Sequence, residues 1–441
     1  MTAEAGVLLL FCTLLLASLL LGLPLVGALL AGLAIFMAYG RCRGISWRKL
    51  AGMAASGVWQ ARKILVIFVL IGALSAVWRC SGTIASLVCY CCTLVRPPVF
   101  LLAAFLLNSM VSFLTGTSFG TSATMGVICM TMGTAIGVPP AAAGGAILSG
   151  AFFGDRCSPV SSSALLVADV TGTDIYQNIR RMLRTGAVPL ALTCVIYLTM
   201  GLLLPHAGAA PELRGVLGGE FVIHPVTLVP ALLIAVLSAL RVDVRITLAA
   251  GIAAALPVCL AVQHTPAGAL AGLVVNGFAA RSEAAGALMN GGGILSMGRV
   301  AAIVCISSAY SGVFRSTGLL DGLRRGIERL AARTSPFAAE LVTSVLGAAV
   351  SCNQTLSIML TNQLCERCQP DRQVRAIDLE NSAVVVAPLI PWSIAGSVPL
   401  ATIGAPQISL LLAVYLYLIP AWQLIAARQS KKTHKEKERS A

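Results

Sequence analysis

Apolar stretches of helix length follow one another along most of the chain, separated by short polar or basic segments. A helix needs about 20 apolar residues to cross the hydrocarbon core of a bilayer, so this pattern predicts roughly ten to thirteen hydrophobic helices, some of them re-entrant. We therefore predict an all-α, polytopic membrane protein. The apolar runs lie at about 6–21, 24–39, 64–78, 98–115, 121–137, 139–153, 186–204, 223–240, 246–262, 300–314, 336–350, 380–400 and 406–426.

Ser, Thr, Gly and Pro interrupt the apolar sequence in two places that resemble each other, at 154–163 and at 388–396. The matched positions, all 232 apart, are Pro159 with Pro391, Ser161 with Ser393, and Gly172 with Gly404. Inside lipid, non-helical backbone survives only where protein buries it or where it lines a water-filled cavity. Paired interruptions in two halves therefore predict a transporter's binding site.

A second internal match supports a duplication, because residues 77–82 resemble residues 313–318 at an offset of 236. Basic residues precede the matched helix in the first half, at 41–63, and follow it in the second half, at 324–333. By the positive-inside rule the two copies run in opposite directions. We predict two inverted-topology repeats with broken or re-entrant helical hairpins.

These boundaries divide a single membrane transporter domain into five segments. They are an N-terminal helix pair at 1–40, repeat 1 at 41–204, linking helices at 205–299, repeat 2 at 300–427 and a basic cytoplasmic tail at 428–441. Basic residues flank the apolar runs on one side, which places both termini in the cytoplasm and predicts a multi-pass protein of the cytoplasmic membrane.

Composition argues against two classes of protein. A hydrophobic fraction of 57% with 11% charged residues is too apolar for a water-soluble domain of 441 residues. The net charge of +14 does not indicate nucleic-acid binding, because the basic residues cluster between apolar runs. We expect the lipid bilayer as partner, no nucleic acid, no cofactor, and no metal other than a transported sodium ion near Asp155. A homodimer stays open.

Two polar stretches within apolar runs supply oxygen atoms for a small ligand, at 115–122 and, in the second half, at 351–357. Such oxygens suit a dehydrated sodium ion or a small anion. A Gly/Ser/Thr packing seam between helices is the alternative. The candidate ligands are Thr117, Ser118, Thr121, Asn353 and Thr355.

Residues 116–120 also fit the GxSxG nucleophile pattern of hydrolases. That chemistry needs a preceding strand and His and Asp partners. The histidines lie at predicted helix ends or in the basic tail: His206, His224, His264 and His434. We therefore predict that the protein is not an enzyme.

Asp155 ends a long apolar run and is the strongest candidate for coupling. A carboxylate there is costly unless it is paired, solvated or neutralised. Because a proton and a cation compete for one carboxylate, it is the simplest exchange device. The alternative is an ion pair with Arg156 at the membrane edge. Nearby hydroxyls belong to Ser158, Ser161 and Ser163.

A second acidic position, Glu380, opens the late apolar run. Glu380 and Asn381 precede residues 384–390, and Ser393 follows them. An acidic group near a helix N-terminus is often only a cap and dipole partner. Both alternatives stay open for Glu380, and all three residues are candidate ligands.

The sequence resembles the NhaC-type sodium/proton antiporter family from about Arg48 to Pro406. The resemblance is densest at 111–121, 148–155, 158–174, 379–380 and 388–392. It implies a multi-pass secondary antiporter with inverted repeats and two re-entrant hairpins. Relatives of this kind exchange sodium and protons, or couple them to small carboxylates such as malate and lactate.

The chain departs from that pattern at several positions. Where relatives typically read Ser-Pro-Leu-Ser-Asp-Thr-Thr-Asn, it has Ser162 in place of the carboxylate and Leu165 in place of the amide. Where they read Leu-Glu-Asp-Ser and Pro-Trp-Asn, it has Asn381 and Ser393. A site with less negative charge should hold sodium less tightly.

Two functional hypotheses follow. The first is a sodium/proton antiporter that works by alternating access, with Asp155 exchanging proton and cation. The second is a sodium- or proton-coupled symporter or exchanger of a small organic acid, such as malate, lactate or an amino acid, whose carboxylate meets the half-helix N-termini.

Overall fold

A computed structural model describes residues 3–21, 23–94, 97–204, 215, 217–240, 242–317 and 324–440. The regular secondary structure of these residues is helical, with one isolated bridge between Phe278 and Gly291, which confirms the all-α prediction. His206, and Gly318 at the end of the second internal match, lie outside the described residues. The helices are α1 Ala3–Leu20, α2 Leu25–Cys42, α3 Trp47–Gln60, α4 Arg62–Cys80, α5 Thr83–Leu94, α6 Phe100–Thr115, α7 Ser118–Thr121, α8 Val127–Ala135, α9 Pro140–Cys157, α10 Ser162–Thr171, α11 Ile175–Leu203, α12 Val229–Ala239, α13 Val244–Ala261, α14 Ala267–Asn276, α15 Glu283–Met289, α16 Gly298–Thr317, α17 Arg324–Arg333, α18 Pro336–Ser351, α19 Gln354–Cys365, α20 Arg372–Asn381, α21 Ala383–Val386, α22 Ile394–Ile403 and α23 Val414–Ser440.

Several of these helices are long and apolar enough to cross a membrane. Three described helices qualify alone: Pro97–Thr115, Ile175–Leu203 and Val244–Ala261. Two bent pairs qualify as broken spans: Trp47–Trp59 with Ile64–Cys80, and Arg372–Leu389 with Ile394–Ile403. Seven shorter apolar helices of 10–17 residues accompany them. The polytopic prediction is confirmed, and the second bent pair, at 54°, breaks at the predicted interruption.

Four helix breaks organise the centre of the molecule. Each break ends in a residue whose side chain accepts a hydrogen bond from the first turn of the next helix, which satisfies an otherwise free backbone N–H group. The first break is Gly116–Thr117 before α7, the second is Ser158–Ser161 before α10, the third is Cys352–Asn353 before α19, and the fourth is Ile390–Ser393 before α22.

The first and third breaks have the same geometry. They follow α6 and α18, which have 16 residues each and lie 236 positions apart. Gly116 has φ 66° and ψ 26°, and Cys352 has φ 53° and ψ 16°, so both residues are left-handed. The caps Thr117 and Asn353 follow with φ −148° and −146°. One local structure thus occurs in both halves.

The second and fourth breaks repeat in the same way. They precede α10 and α22, which have 10 residues each and lie 232 positions apart. Ser161 and Ser393 cap these helices at their N-termini, and Gly172 and Gly404 end them with positive φ. The paired interruptions are present as predicted. The opposite direction of the two halves in the membrane stays a prediction, as do the boundaries of the five segments.

The halves pack crosswise. Helix α7 of the first half packs against α22 of the second, and α19 of the second half packs against α10 of the first. The Asn362 side chain on α19 donates to the Val170 carbonyl oxygen on α10 over 3.3 Å. Each half therefore supplies short helices, next to its breaks, that contact the other half.

Close backbone approach depends on glycine at the first break. A Cβ atom on Gly116 would lie 2.6 Å from the carbonyl carbon of Val160 in the second break. Gly116 also has positive φ, which glycine adopts without strain. The first and second breaks therefore touch because residue 116 has no side chain.

We predict that Gly116→Ala lowers the thermal unfolding temperature of the detergent-purified protein more than Gly404→Ala does. Both substitutions place a side chain at positive φ, at a cost of roughly 1–2 kcal/mol. Only Gly116→Ala also meets neighbouring backbone, since a Cβ atom on Gly404 has open space around it. Equal shifts in the two variants would contradict this account of the first break.

Candidate functional site

The second break places a buried carboxylate beneath two serine hydroxyls. Asp155 lies in the last turn of α9 and is 3% exposed. The Ser161 hydroxyl donates to Asp155 Oδ1 over 3.0 Å, and the Ser163 hydroxyl donates to the Asp155 carbonyl oxygen over 3.2 Å. Ser161 also accepts from the backbone N–H groups of Ser163 and Ala164. The residue that starts α10 therefore also orients the carboxylate.

Glu380 is a second buried carboxyl group at the centre. It lies near the C-terminal end of α20, whose N-terminal cap is Asp371, so the interpretation of Glu380 as a cap is wrong. Its side chain is fully buried, and within the described part of the chain neither carboxylate oxygen has a hydrogen-bond partner. Asp155 and Arg156 lie within electrostatic range of it. A buried carboxylate without donors needs a positive charge nearby.

Arg156 points away from Asp155 towards the second half of the chain. Its side chain is fully buried, and Nη2 donates to Asn381 Oδ1 over 2.5 Å. Further donations over 3.3 Å reach the Met182 carbonyl oxygen and the hydroxyl groups of Thr185 and Tyr415. Among the described residues no ion pair joins Arg156 to Asp155. The interpretation of these two residues as a pair at the membrane edge is therefore wrong.

Gln354 connects the third break to the same centre. It is the first residue of α19, directly after the cap Asn353. Its side-chain amide donates to the Val384 carbonyl oxygen over 3.0 Å and lies near enough to the Asp155 carboxyl group to act on it electrostatically. Asp155 therefore has polar neighbours from both halves of the chain.

The hydroxyl-rich stretch lies beside this group of residues, in the first turn after the first break. Thr117 is half-buried, whereas Ser118 and Thr121 are buried. The Thr121 hydroxyl donates to the Thr117 carbonyl oxygen over 2.9 Å, so it is already engaged within its own helix. The Ser122 hydroxyl is buried and has no hydrogen-bond partner among the described residues. A π-helical turn at Ser122–Gly126 follows.

The remaining predicted ligands are divided among the other breaks. Ser158 is fully buried and accepts from the Val160 N–H group over 3.3 Å. Ser393 caps α22, and the next N–H group, of Ile394, donates to the Cys352 carbonyl oxygen over 2.9 Å, which joins the third and fourth breaks. Thr355 is exposed on α19, and the structure does not bring it into the buried group.

Three more buried charged residues were not predicted. The Ser382 hydroxyl donates to Glu340 Oε1 over 3.4 Å, and the Gln423 amide donates to Asp378 Oδ1 over 3.0 Å. Arg375 donates to backbone carbonyl oxygens. Asp378 and Gln423 also line a cavity of about 270 Å³, together with Arg181, Arg184, Thr185, Val374 and Ile377. A carboxylate inside an apolar helix was the available signal for Glu340.

The sequence matches a known family of membrane proteins. The family model described as "Na+/H+ antiporter family" matches residues 4–171 and 150–426. The chain belongs to the Na+/H+ antiporter family. It is 30% identical, over 90% of its length and 88% of the relative, to the Na(+)/H(+) antiporter NhaC of Alkalihalophilus pseudofirmus. It is 28% identical to the Na(+)/H(+) antiporter NhaC of Bacillus subtilis, over 86% of each chain. Another relative, the malate-2H(+)/Na(+)-lactate antiporter of Bacillus subtilis, is 27% identical over 90% of this chain and 88% of its own.

Membership in this family confirms the resemblance inferred from the motifs. It assigns the chain to a family of antiporters, and the apolar helices make it a multi-pass membrane protein. Because the relatives align over nearly their whole length, the membership covers both halves and all four breaks. The individual roles of the site residues stay predictions.

We predict that Ser161→Ala lowers the unfolding temperature more than Ser393→Ala does. Both variants lose an N-terminal cap, worth about 1 kcal/mol. Ser161→Ala also removes the donor to a buried carboxylate, which costs roughly 1–3 kcal/mol more. Thermal unfolding of the detergent-purified variants measures the difference. A larger shift for Ser393→Ala would show that Ser161 does not hold Asp155.

Proposed function

We propose that the protein is a sodium/proton antiporter working by alternating access, in which Asp155 binds the sodium ion and the proton in turn. The observation that carries this proposal is the burial of Asp155 where breaks from both halves meet, under the hydroxyl of Ser161 and within reach of Gln354. A transported ion placed there touches both halves, whose relative movement can expose it to either side.

The free-energy cost of a buried, charged Asp155 couples sodium transport to proton transport. An ionised carboxylate in a membrane interior is unfavourable by about 3 kcal/mol or more. Either a sodium ion or a proton removes most of that cost, and Asp155 cannot hold both at once. The empty, charged site therefore resists passage through the closed intermediate, while either loaded site passes. This difference makes the protein exchange the two ions and prevents a leak of either.

Oxygen atoms around the second break would complete the sodium shell. The Ser161 and Ser163 hydroxyls lie 2.9 Å apart next to Asp155. Hard cations prefer such oxygen ligands. The other proposed ligands of this site are Thr117, Ser118, Thr121, Ser158, Asn353 and Ser393, whereas Glu380 and Asn381 are proposed to set its charge.

The proposed setting is the cytoplasmic membrane with both termini in the cytoplasm. The distribution of basic segments supports it, since lysine and arginine favour cytoplasmic loops. A homodimer stays an open alternative to a monomer.

We predict that Asp155→Asn abolishes sodium-driven proton movement. In proteoliposomes loaded with a pH-sensitive dye, an inward sodium gradient should drive protons out and make the lumen alkaline when the wild-type protein is present. The variant should leave the luminal pH unchanged, because an amide binds neither ion as a carboxylate does. Asp169→Asn is the matched control, since Asp169 is exposed on α10. Full exchange by Asp155→Asn would refute the proposed role.

A small organic acid is the second candidate, because one relative is a malate-2H(+)/Na(+)-lactate antiporter and a guanidinium group lies at the centre. Arginine is the residue that best binds carboxylates. In this chain, however, the terminal nitrogens of Arg156 already donate to protein groups. They are therefore not presented to a solute, and this favours the inorganic ion.

We predict no saturable uptake of radiolabelled malate, lactate or amino acids by proteoliposomes under sodium or proton gradients. The same vesicles should take up ²²Na⁺ when a proton gradient is imposed, which controls for activity. Saturable, gradient-dependent uptake of any of the acids would support the organic-acid alternative instead.

A further inference from the structure

Arg156 is a buried positive charge whose direct partners are all neutral. The side chain is fully buried, so water does not balance its charge. The groups that accept from its terminal nitrogens belong to Asn381, Thr185, Tyr415, Cys157 and the Met182 backbone. These neutral acceptors satisfy the terminal N–H groups of the guanidinium, whereas its Nε–H group has no hydrogen-bond partner among the described residues. The full positive charge therefore stays in a medium of low dielectric constant. The compensating negative charge must therefore lie beyond these contacts.

Glu380 meets that requirement. Its carboxylate is fully buried, accepts no hydrogen bond among the described residues and lies within electrostatic range of Arg156. The guanidinium group contacts the neighbouring residue Asn381, and buried charges attract over a longer range than charges in water because little water screens them. Glu340 lies within electrostatic range of Asp378 and Arg375, whereas the charges that act on Glu380 are those of Arg156 and Asp155. Among the described residues, the centre at Asp155 therefore contains two carboxylates and one guanidinium.

We propose that Arg156 is the fixed counter-charge of Glu380, which leaves Asp155 as the exchangeable carboxylate of this centre and makes the exchange electroneutral, one sodium ion for one proton. The inference rests on the proposed antiport function and deepens it. With sodium bound to Asp155, two positive charges face two negative charges. With a proton on Asp155, one positive charge faces one negative charge. The loaded centre is neutral in both states, so neither half of the cycle moves net charge.

A substitution at residue 381 can disturb the charge balance between Arg156 and Glu380 without removing Arg156. The Asn381 side chain lies 2.5 Å from Arg156 Nη2, and in Asn381→Asp a carboxylate of nearly the same shape would pair directly with the guanidinium. Glu380 would then lack its counter-charge and would become a second carboxylate able to take up and release a proton. The variant should therefore exchange more than one proton for each sodium ion, so that each cycle moves net charge.

The experiment measures ²²Na⁺ distribution across proteoliposomes that contain the full-length protein, under a fixed pH gradient. Valinomycin with a potassium gradient imposes a membrane potential in one set of vesicles, and valinomycin with equal potassium concentrations on both sides clamps the potential to zero in the other. The wild-type distribution should be the same in both sets. For Asn381→Asp we expect a shift of about tenfold per net charge moved under a tenfold potassium gradient. Asn276→Asp, which adds the same charge at an exposed position on α14, should behave as the wild type does.

A second set of variants tests the same proposal if Asn381→Asp does not fold, by removing first one and then both charges of the Arg156–Glu380 pair. Arg156→Gln alone should make exchange respond to the potential or stop, whereas Arg156→Gln with Glu380→Gln removes one charge of each sign and should restore exchange that ignores the potential. A merely structural arginine would give no rescue, and that result would overturn the proposal.

The outcomes separate this inference from the function on which it rests. Wild-type exchange that follows the membrane potential overturns the electroneutral balance and leaves the antiport function intact. Exchange by folded Asn381→Asp that ignores the potential also overturns it. No exchange of sodium for protons under either condition overturns the proposed function and the inference together.

Discussion

Charge buried away from water is the constraint on which the centre of this molecule depends. Asp155, Arg156 and Glu380 are all almost completely enclosed by protein, in a chain whose surroundings are hydrocarbon. An isolated ion in such a place is too costly to persist, so each of the three must be balanced by a neighbour or by a bound ion. Arg156 and Glu380 are both permanent parts of the structure and can balance each other. In the proposed mechanism, a mobile ion balances the charge of Asp155.

The helix breaks make this burial tolerable. An unbroken helix uses its own backbone groups and offers nothing to a ligand, whereas each break exposes N–H and carbonyl groups in the interior of the protein. The caps Thr117, Ser161, Asn353 and Ser393 satisfy part of these groups. The crosswise packing of the halves then encloses the rest. Because each half contributes two breaks, a ligand at the centre is held between two bodies, which is the geometry that alternating access requires.

Much of this arrangement could be predicted from the chain, because it depends on local rules. Apolar runs form helices in lipid regardless of what surrounds them, since each helix satisfies its own backbone. The breaks occur where serine, glycine and proline favour caps and turns. Ser161 reaches Asp155 because the two residues are only six positions apart. The sequence also contained the duplication, since spacings of 232 and 236 connect matching breaks.

Other features came only from the packing of distant segments. Asn381 and Arg156 are 225 positions apart, and no local pattern shows that the guanidinium turns towards α20 and away from the adjacent Asp155. The burial of Glu380 could not be predicted from the sequence either, because the same residue could begin a helix at the surface or end one in the interior. The sequence by itself determined the helical membrane class, the family and the positions of the breaks, since these follow from hydropathy and capping along the chain. The tertiary structure decided which charges face one another, because the energy of a buried charge depends on neighbours that only the packing of the two halves brings together.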